Sequence, residues 1–130
     1  RKAVGAGEFK LGLVNHYYYY LQAAEGSNVG IIYPDQSAEE MGIISNATAA
    51  AIVEGADNQS AAEAFIDFLV SEEGQKIFAE DNYEYPLLQG VVLHPDITPL
   101  ENITFANIEL TQIVNRFDET FDLIEMANLP

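Results

Sequence analysis

Apolar residues fall into two regimes along this chain. Three short runs, Leu11–Val14 (LGLV), Val29–Tyr33 (VGIIY) and Met41–Ser45 (MGIIS), are each bounded by a polar or turn-forming residue and read as buried strands. Elsewhere the spacing is helical. A helix is predicted from about Tyr18 through Glu25, with Gly26 as its stop. A second begins near Gln59, where Ala61, Ala64, Phe65, Phe68 and Leu69 share one face and Glu63 and Asp67 the other. Ser71 is placed to cap a third over Glu72–Glu80, whose apolar residues are Ile77 and Phe78. A last helix is expected over about Ile108–Met126, with Leu110, Ile113, Val114, Phe117, Phe121 and Ile124 on one stripe. Asp35–Gly42, Tyr83–Pro86 and the segment holding Pro95 and Pro99 read as loops.

Strands that alternate with helices predict an α/β fold. Three strands make a thin sheet for a complete domain of that class, so the expectation is an incomplete one. The length, 130 residues, is nevertheless enough to bury a core without disulfide staples. At 48% apolar and 11% aromatic residues the chain is too hydrophobic for disorder.

Charge narrows the partners. Asp and Glu number 21 against 5 Lys and Arg, a formal charge of −16. The five basic residues, Arg1, Lys2, Lys10, Lys76 and Arg116, are too few to neutralise a phosphate backbone, which excludes nucleic acid as a partner. The acids are dispersed from Glu8 to Glu125 rather than gathered in a tail. That pattern describes a solvated surface, either salt-adapted or simply that of an acidic secreted protein. The absence of cysteine excludes disulfides, zinc–thiolate sites and thiol catalysis. Arg1–Gly7 carries basic residues with no apolar segment behind them, so no signal peptide is read there. The expectation is a cytosolic protein or a mature or trimmed piece of a longer one.

No HExxH, GxSxG, phosphate loop or GxGxxG is present, and no enzyme is predicted. What stands out is Tyr17-Tyr18-Tyr19-Tyr20 after Asn15-His16. Four consecutive tyrosines cannot all face one core, because a helix fans them by about 100° each. Two packing in the core and two reaching solvent is one reading. The other is a site for a hard cation. Phenolate is a hard oxygen donor suited to Fe³⁺, and it binds only after losing a proton that leaves near pH ~10.

Asn15-His16-Tyr17-Tyr18, the helical segment AAEAFIDFLVSEEGQKIFAEDN (61–82) and the turn Tyr83-Glu84-Tyr85-Pro86 together resemble the ferric-ion-binding proteins of bacterial ABC importers over most of residues 8–92. The resemblance implies a two-lobed, type II periplasmic-binding fold, transferrin-like, that closes on its ligand by hinge motion. It implies Tyr17 and Tyr18 as ligands of Fe³⁺, and Asn15 as a residue that helps hold a synergistic anion such as phosphate or carbonate. Tyr19 and Tyr20 match no ligand position and read as helix-start packing. His16 falls at a variable position, and Glu84-Tyr85-Pro86 at a structural turn.

Family members are longer, with their remaining ligands in an N-terminal half that this sequence does not contain. The chain is therefore expected to be a C-terminal fragment, with about 1–42 and about 87–130 in one lobe and about 43–86 in the other. Its expected partners are the ABC transporter permease and either the missing N-terminal portion or another copy of the chain by segment exchange. The expected location is periplasmic or extracytoplasmic, with any lipid anchor in a segment outside this sequence. Two alternatives remain at this stage: the same fold binding a polyamine, thiamine, phosphonate or sugar, or an interaction domain with buried tyrosines.

Overall fold

Ser71 organises the best-defined corner of the structure. In the computed structural model, which describes residues 1–128, its hydroxyl donates to the Phe68 carbonyl at 2.7 Å and accepts the Gly74 N–H at 3.2 Å. This closes one helix and opens the next: α3 spans Gln59–Leu69 and α4 spans Glu72–Asp81, with Glu72 and Glu73 in the favourable first turn. Gly74 is required by closeness of approach, since a Cβ there would run into the backbone carbonyl of Phe68. The buried Gln75 satisfies both ends of its amide. It donates to the Leu69 carbonyl at 2.9 Å and accepts from the Leu87 N–H at 2.7 Å, fastening the segment after α4 to the α3–α4 corner.

The earlier helices are α1, Lys2–Gly5, and α2, His16–Ala24. α2 ends as expected, with Gly26 at φ 86° beyond its last turn. It begins earlier than expected, at His16 rather than Tyr18. Residues 1–32 and 49–102 form one compact unit, with Tyr20, Ala79 and Ile97 buried.

Residues 33–48 and 103–130 form a second unit. Here the Gln36 amide acts as a substitute strand partner, accepting the Thr104 N–H at 2.7 Å while donating to the Pro34 and Thr104 carbonyls. Ile43 and Phe105 form a single parallel bridge, with Ile43 N–H on Thr104 O at 3.0 Å and Ala106 N–H on Ile43 O at 2.9 Å. Gly42, at φ 83°, permits that approach, since a Cβ would lie 2.7 Å from the Thr104 oxygen.

Beyond that bridge, the expected strands form no ladder among the described residues. The apolar runs at 11–14 and 29–33 find no neighbouring strand, and Leu13 is 100% exposed. A strand persists only where its backbone groups and its apolar face both find partners. The last predicted helix is present as two, α5 (Leu110–Val114) and α6 (Phe117–Met126). The break falls at Arg116, whose backbone leaves the helical region (φ −113°, ψ 20°) while its guanidinium grips Glu119 through two 2.7 Å bonds. Of the predicted stripe, Val114, Phe117 and Phe121 are exposed, and the side chains of Leu110 and Ile113 lie outside the described residues. No helix among the described residues is long and apolar enough to cross a membrane.

Candidate functional site

Asn15 ends an extended approach (φ −66°, ψ 148°) and starts α2 with its backbone. Its side chain does not cap the helix; the amide donates to the Tyr17 hydroxyl at 3.0 Å. Tyr17 and Tyr18 are the second and third residues of α2, which the sequence pattern starts only at about Tyr18. Although the helix turns their Cα–Cβ bonds apart, their rings come together, with centroids 4.5 Å apart and planes at 48°. A side-chain hydrogen bond to Tyr17, and then the negative charge Tyr17 would carry, push the Tyr18 phenol above its ordinary value, with the charge of Arg1 acting weakly against them. The structure thus brings Asn15, Tyr17 and Tyr18 into one polar chain.

Tyr18 is also a wall of a cavity of about 440 Å³ whose other lining residues are Arg1, Lys2, Ala3 and Val14. Two of the five basic residues of a strongly acidic chain therefore stand beside this phenol. Arg1 is paired with Glu25 at 2.6 Å, which holds the guanidinium against the end of α2. Among the described residues no group of three or more His, Asp or Glu is placed to hold a metal ion.

Tyr19 is half-buried and meets Tyr20 edge to face, whereas Tyr20 and His16 pack inward. Tyr20 is buried, accepts the Thr98 N–H at 3.2 Å and stacks on Tyr83 at 5.5 Å and 14°. His16 makes a 2.8 Å hydrogen bond from Nε2 to the Tyr83 carbonyl, and its ring lies 4.8 Å from that of Tyr85. Burial lowers its pKa, opposed by the hydrogen bond to Tyr83 and the charge of Glu84. Tyr85 in turn donates to the Thr98 carbonyl at 2.6 Å. The turn 83–86 is therefore a brace under α2, and His16 is the pin that joins them.

Two features escape sequence reasoning. Tyr83 adopts a left-handed backbone (φ 57°), which its residue type does not announce. The basic pair beside Tyr18 comes from the far side of the LGLV run, and only the fold joins them.

The model of bacterial extracellular solute-binding proteins matches residues 1–105. The chain is similar to iron uptake protein A1 of Synechocystis sp., at 36% identity over 88% of this chain and 36% of that protein. It is similar to the major ferric iron-binding protein of Neisseria meningitidis, at 28% identity over 98% of this chain and 39% of that protein. The Fe(3+)-binding periplasmic protein of Serratia marcescens is 25% identical over 86% of this chain and 34% of its own length. The chain thus spans between 34% and 39% of the length of these relatives. No solved structure matches it significantly.

Proposed function

The chain belongs to the bacterial extracellular solute-binding protein family, and from that premise we propose that it is the C-terminal portion of the binding component of an ABC importer whose cargo is ferric iron. Membership carries a periplasmic-binding-protein-like fold. In our reading that fold is the two-lobed α/β form, with about 1–42 and about 87–130 contributing to one lobe and about 43–86 to the other. The protein works outside the cytoplasm, reached through a leader or lipid anchor beyond this sequence, and delivers its cargo to a membrane permease. Its work is binding and release rather than catalysis, in keeping with relatives named for iron uptake and ferric iron binding.

The observation that carries this reading is the convergence of the two adjacent phenols Tyr17 and Tyr18, rings 4.5 Å apart, with the Asn15 amide already on the first. Two phenolates would offset most of the charge of Fe³⁺ with hard oxygen donors. Asn15 would contribute an N–H to a synergistic anion, phosphate or carbonate, that completes the charge balance. The remaining donors would come from the portion of the protein outside this sequence.

The test is spectroscopic. Adding Fe³⁺ as a weak chelate to the full-length protein is expected to give a visible phenolate-to-iron charge-transfer band, lost in the Tyr17→Phe/Tyr18→Phe double variant. Undiminished colour and affinity in that variant would overturn the assignment.

A further inference from the structure

Three Asn-x-Ser/Thr triplets, Asn46-Ala47-Thr48, Asn58-Gln59-Ser60 and Asn102-Ile103-Thr104, take no part in the proposed iron site. The chain has nine Asn and ten Ser or Thr in 130 residues, a composition that would place fewer than one such triplet by chance. None of the three has proline at its middle position. The pattern is the acceptor signature of N-linked glycosylation, which needs a surface segment of an exported protein.

The fold sorts the three triplets. Asn58 is exposed in the turn that leads into α3, together with Gln59 and Ser60. It holds the N-cap position, yet its side chain makes no capping bond, so the amide is not spent on the helix. Asn46, Ala47 and Thr48 are also exposed, in a stretch (44–53) that forms no helix, strand or turn. The third triplet differs. Asn102 ends a single 3₁₀ turn, Leu100–Asn102, and Ile103 behind it is buried. The Thr104 backbone is held on both sides, its N–H donating to Gln36 Oε1 at 2.7 Å and its carbonyl accepting the Ile43 N–H at 3.0 Å. An enzyme that must grip all three residues of a triplet therefore meets two in the open and one tied into the structure.

We propose that Asn46 and Asn58 are acceptors of N-linked oligosaccharide. The donor is an oligosaccharide carried on a polyisoprenyl phosphate or pyrophosphate and presented by a membrane-bound transferase outside the cytoplasm. The Asn Nδ2 bonds to the anomeric carbon of the first sugar while the bond from that carbon to the lipid phosphate oxygen breaks. The amide gives up one proton, and the lipid phosphate leaves with the electron pair. The hydroxyl two residues on is part of what the transferase reads, which makes Thr48 and Ser60 part of the two sites. The proposal rests on the extracytoplasmic location in the functional reading and on none of the iron ligands.

The test is peptide mass spectrometry of the full-length protein isolated from its own cells, with cytoplasmic and extracytoplasmic fractions analysed separately. In the extracytoplasmic fraction the peptides holding Asn46 and Asn58 are expected to carry a mass increment of one or more sugar residues, and the Asn102 peptide to be bare. Ser60→Ala keeps the acceptor and removes the hydroxyl, so it is expected to abolish the increment at Asn58, whereas Ser60→Thr is expected to retain it. Thr48→Ala is expected to do the same at Asn46, and the ferric colour is expected to be unchanged in all three variants. Extracytoplasmic protein that is bare at Asn46 or Asn58 would overturn the assignment at that site and leave the iron reading standing. An increment at Asn58 that survives Ser60→Ala, or one confined to Asn102, would also overturn the proposal. Protein confined to the cytoplasm would overturn the location and the proposal together.

Discussion

The side-chain amide of Asn15 donates to the Tyr17 hydroxyl at 3.0 Å, so the residue that opens α2 spends its side chain on a phenol instead of on the helix's free N–H groups. A donor fixed on the phenol oxygen holds that oxygen in place beside the ring of Tyr18, where a cation would meet both phenols. Asn15→Ala is therefore expected to weaken ferric iron binding by the full-length protein by about tenfold, the equivalent of one hydrogen bond to a charged oxygen. Because the amide does not cap the helix, the thermal midpoint is expected to change little. Iron affinity by chelator competition and the melting curve check the two halves. A loss of stability without a loss of affinity would make Asn15 a helix-start residue only.

Iron loading should follow pH in a defined direction. The Tyr18 phenol is held above its ordinary value by its hydrogen bond to Tyr17, so it is protonated at neutral pH and must give up its proton to bind. Affinity is thus expected to fall as pH falls, by about tenfold per pH unit for each phenol displaced. Tyr18→Phe should make the dependence shallower by one proton as well as lowering the affinity. Proton release measured in a weakly buffered titration checks the count, and an unchanged count in the variant would exclude Tyr18 as a ligand.

Local signals carried the helices well and the longer-range structure poorly. The Ser71 cap and the apolar repeat from Gln59 place α3 and α4 nearly to the residue, because both signals act within a few positions. The start of α2 is misplaced by two residues because Asn15, a good helix opener, also ends an apolar run and reads equally well as a strand terminus. The strands depend on pairing that sequence periodicity does not supply, and among the described residues only Ile43 finds such a partner, at Phe105. Of the site, the adjacent phenols are legible because adjacency is a sequence property. The His16–Tyr83 pin crosses 67 positions, and the left-handed turn that it secures is a product of that contact.

His16 predicts a component of acid sensitivity. Burial lowers its folded-state pKa below the ordinary 6.5, so the unfolded chain binds the proton more readily. The sign follows from linkage: this contribution to stability is complete above about 6.5 and is lost as pH falls from there through the folded value. His16→Gln removes the titrating group, and the melting temperature of the variant should decline less than that of the parent between neutral and mildly acid pH. Parallel declines in the two proteins would show that other groups control acid sensitivity.

The α3–α4 corner should be intolerant at two neighbouring positions for different reasons. Ser71→Ala removes the hydroxyl that accepts the Gly74 N–H, an expected loss of about 1 kcal/mol. Gly74→Ala drives a methyl group into the Phe68 carbonyl, which lies in backbone and does not move aside, with an expected loss of about 1–3 kcal/mol. The order of the two in thermal or urea unfolding tests the geometry. If Gly74→Ala were neutral, the close approach of α4 to the end of α3 would be wrong.

Helix α6 predicts how the 130-residue chain behaves by itself. Phe117 and Phe121 stack edge to face at 5.0 Å on one side of the helix, yet they remain 60% and 57% exposed. Asp118, Glu119, Asp122 and Glu125 stand elsewhere on the helix, alongside Thr120, Leu123, Ile124 and Met126. An apolar face of this kind stays open only at a cost of about 25 cal/mol for each Å² of apolar surface left in water. The isolated chain is therefore expected to bind the dye ANS and to sediment above monomer mass at micromolar concentration. High salt should strengthen the association, because it screens the −16 charge that keeps copies apart. Phe117→Gln with Phe121→Gln should reduce dye binding and return the chain toward monomer without lowering its melting temperature, since neither ring is buried. Dye binding and mass unchanged by this pair would place the adhesive surface elsewhere on the chain.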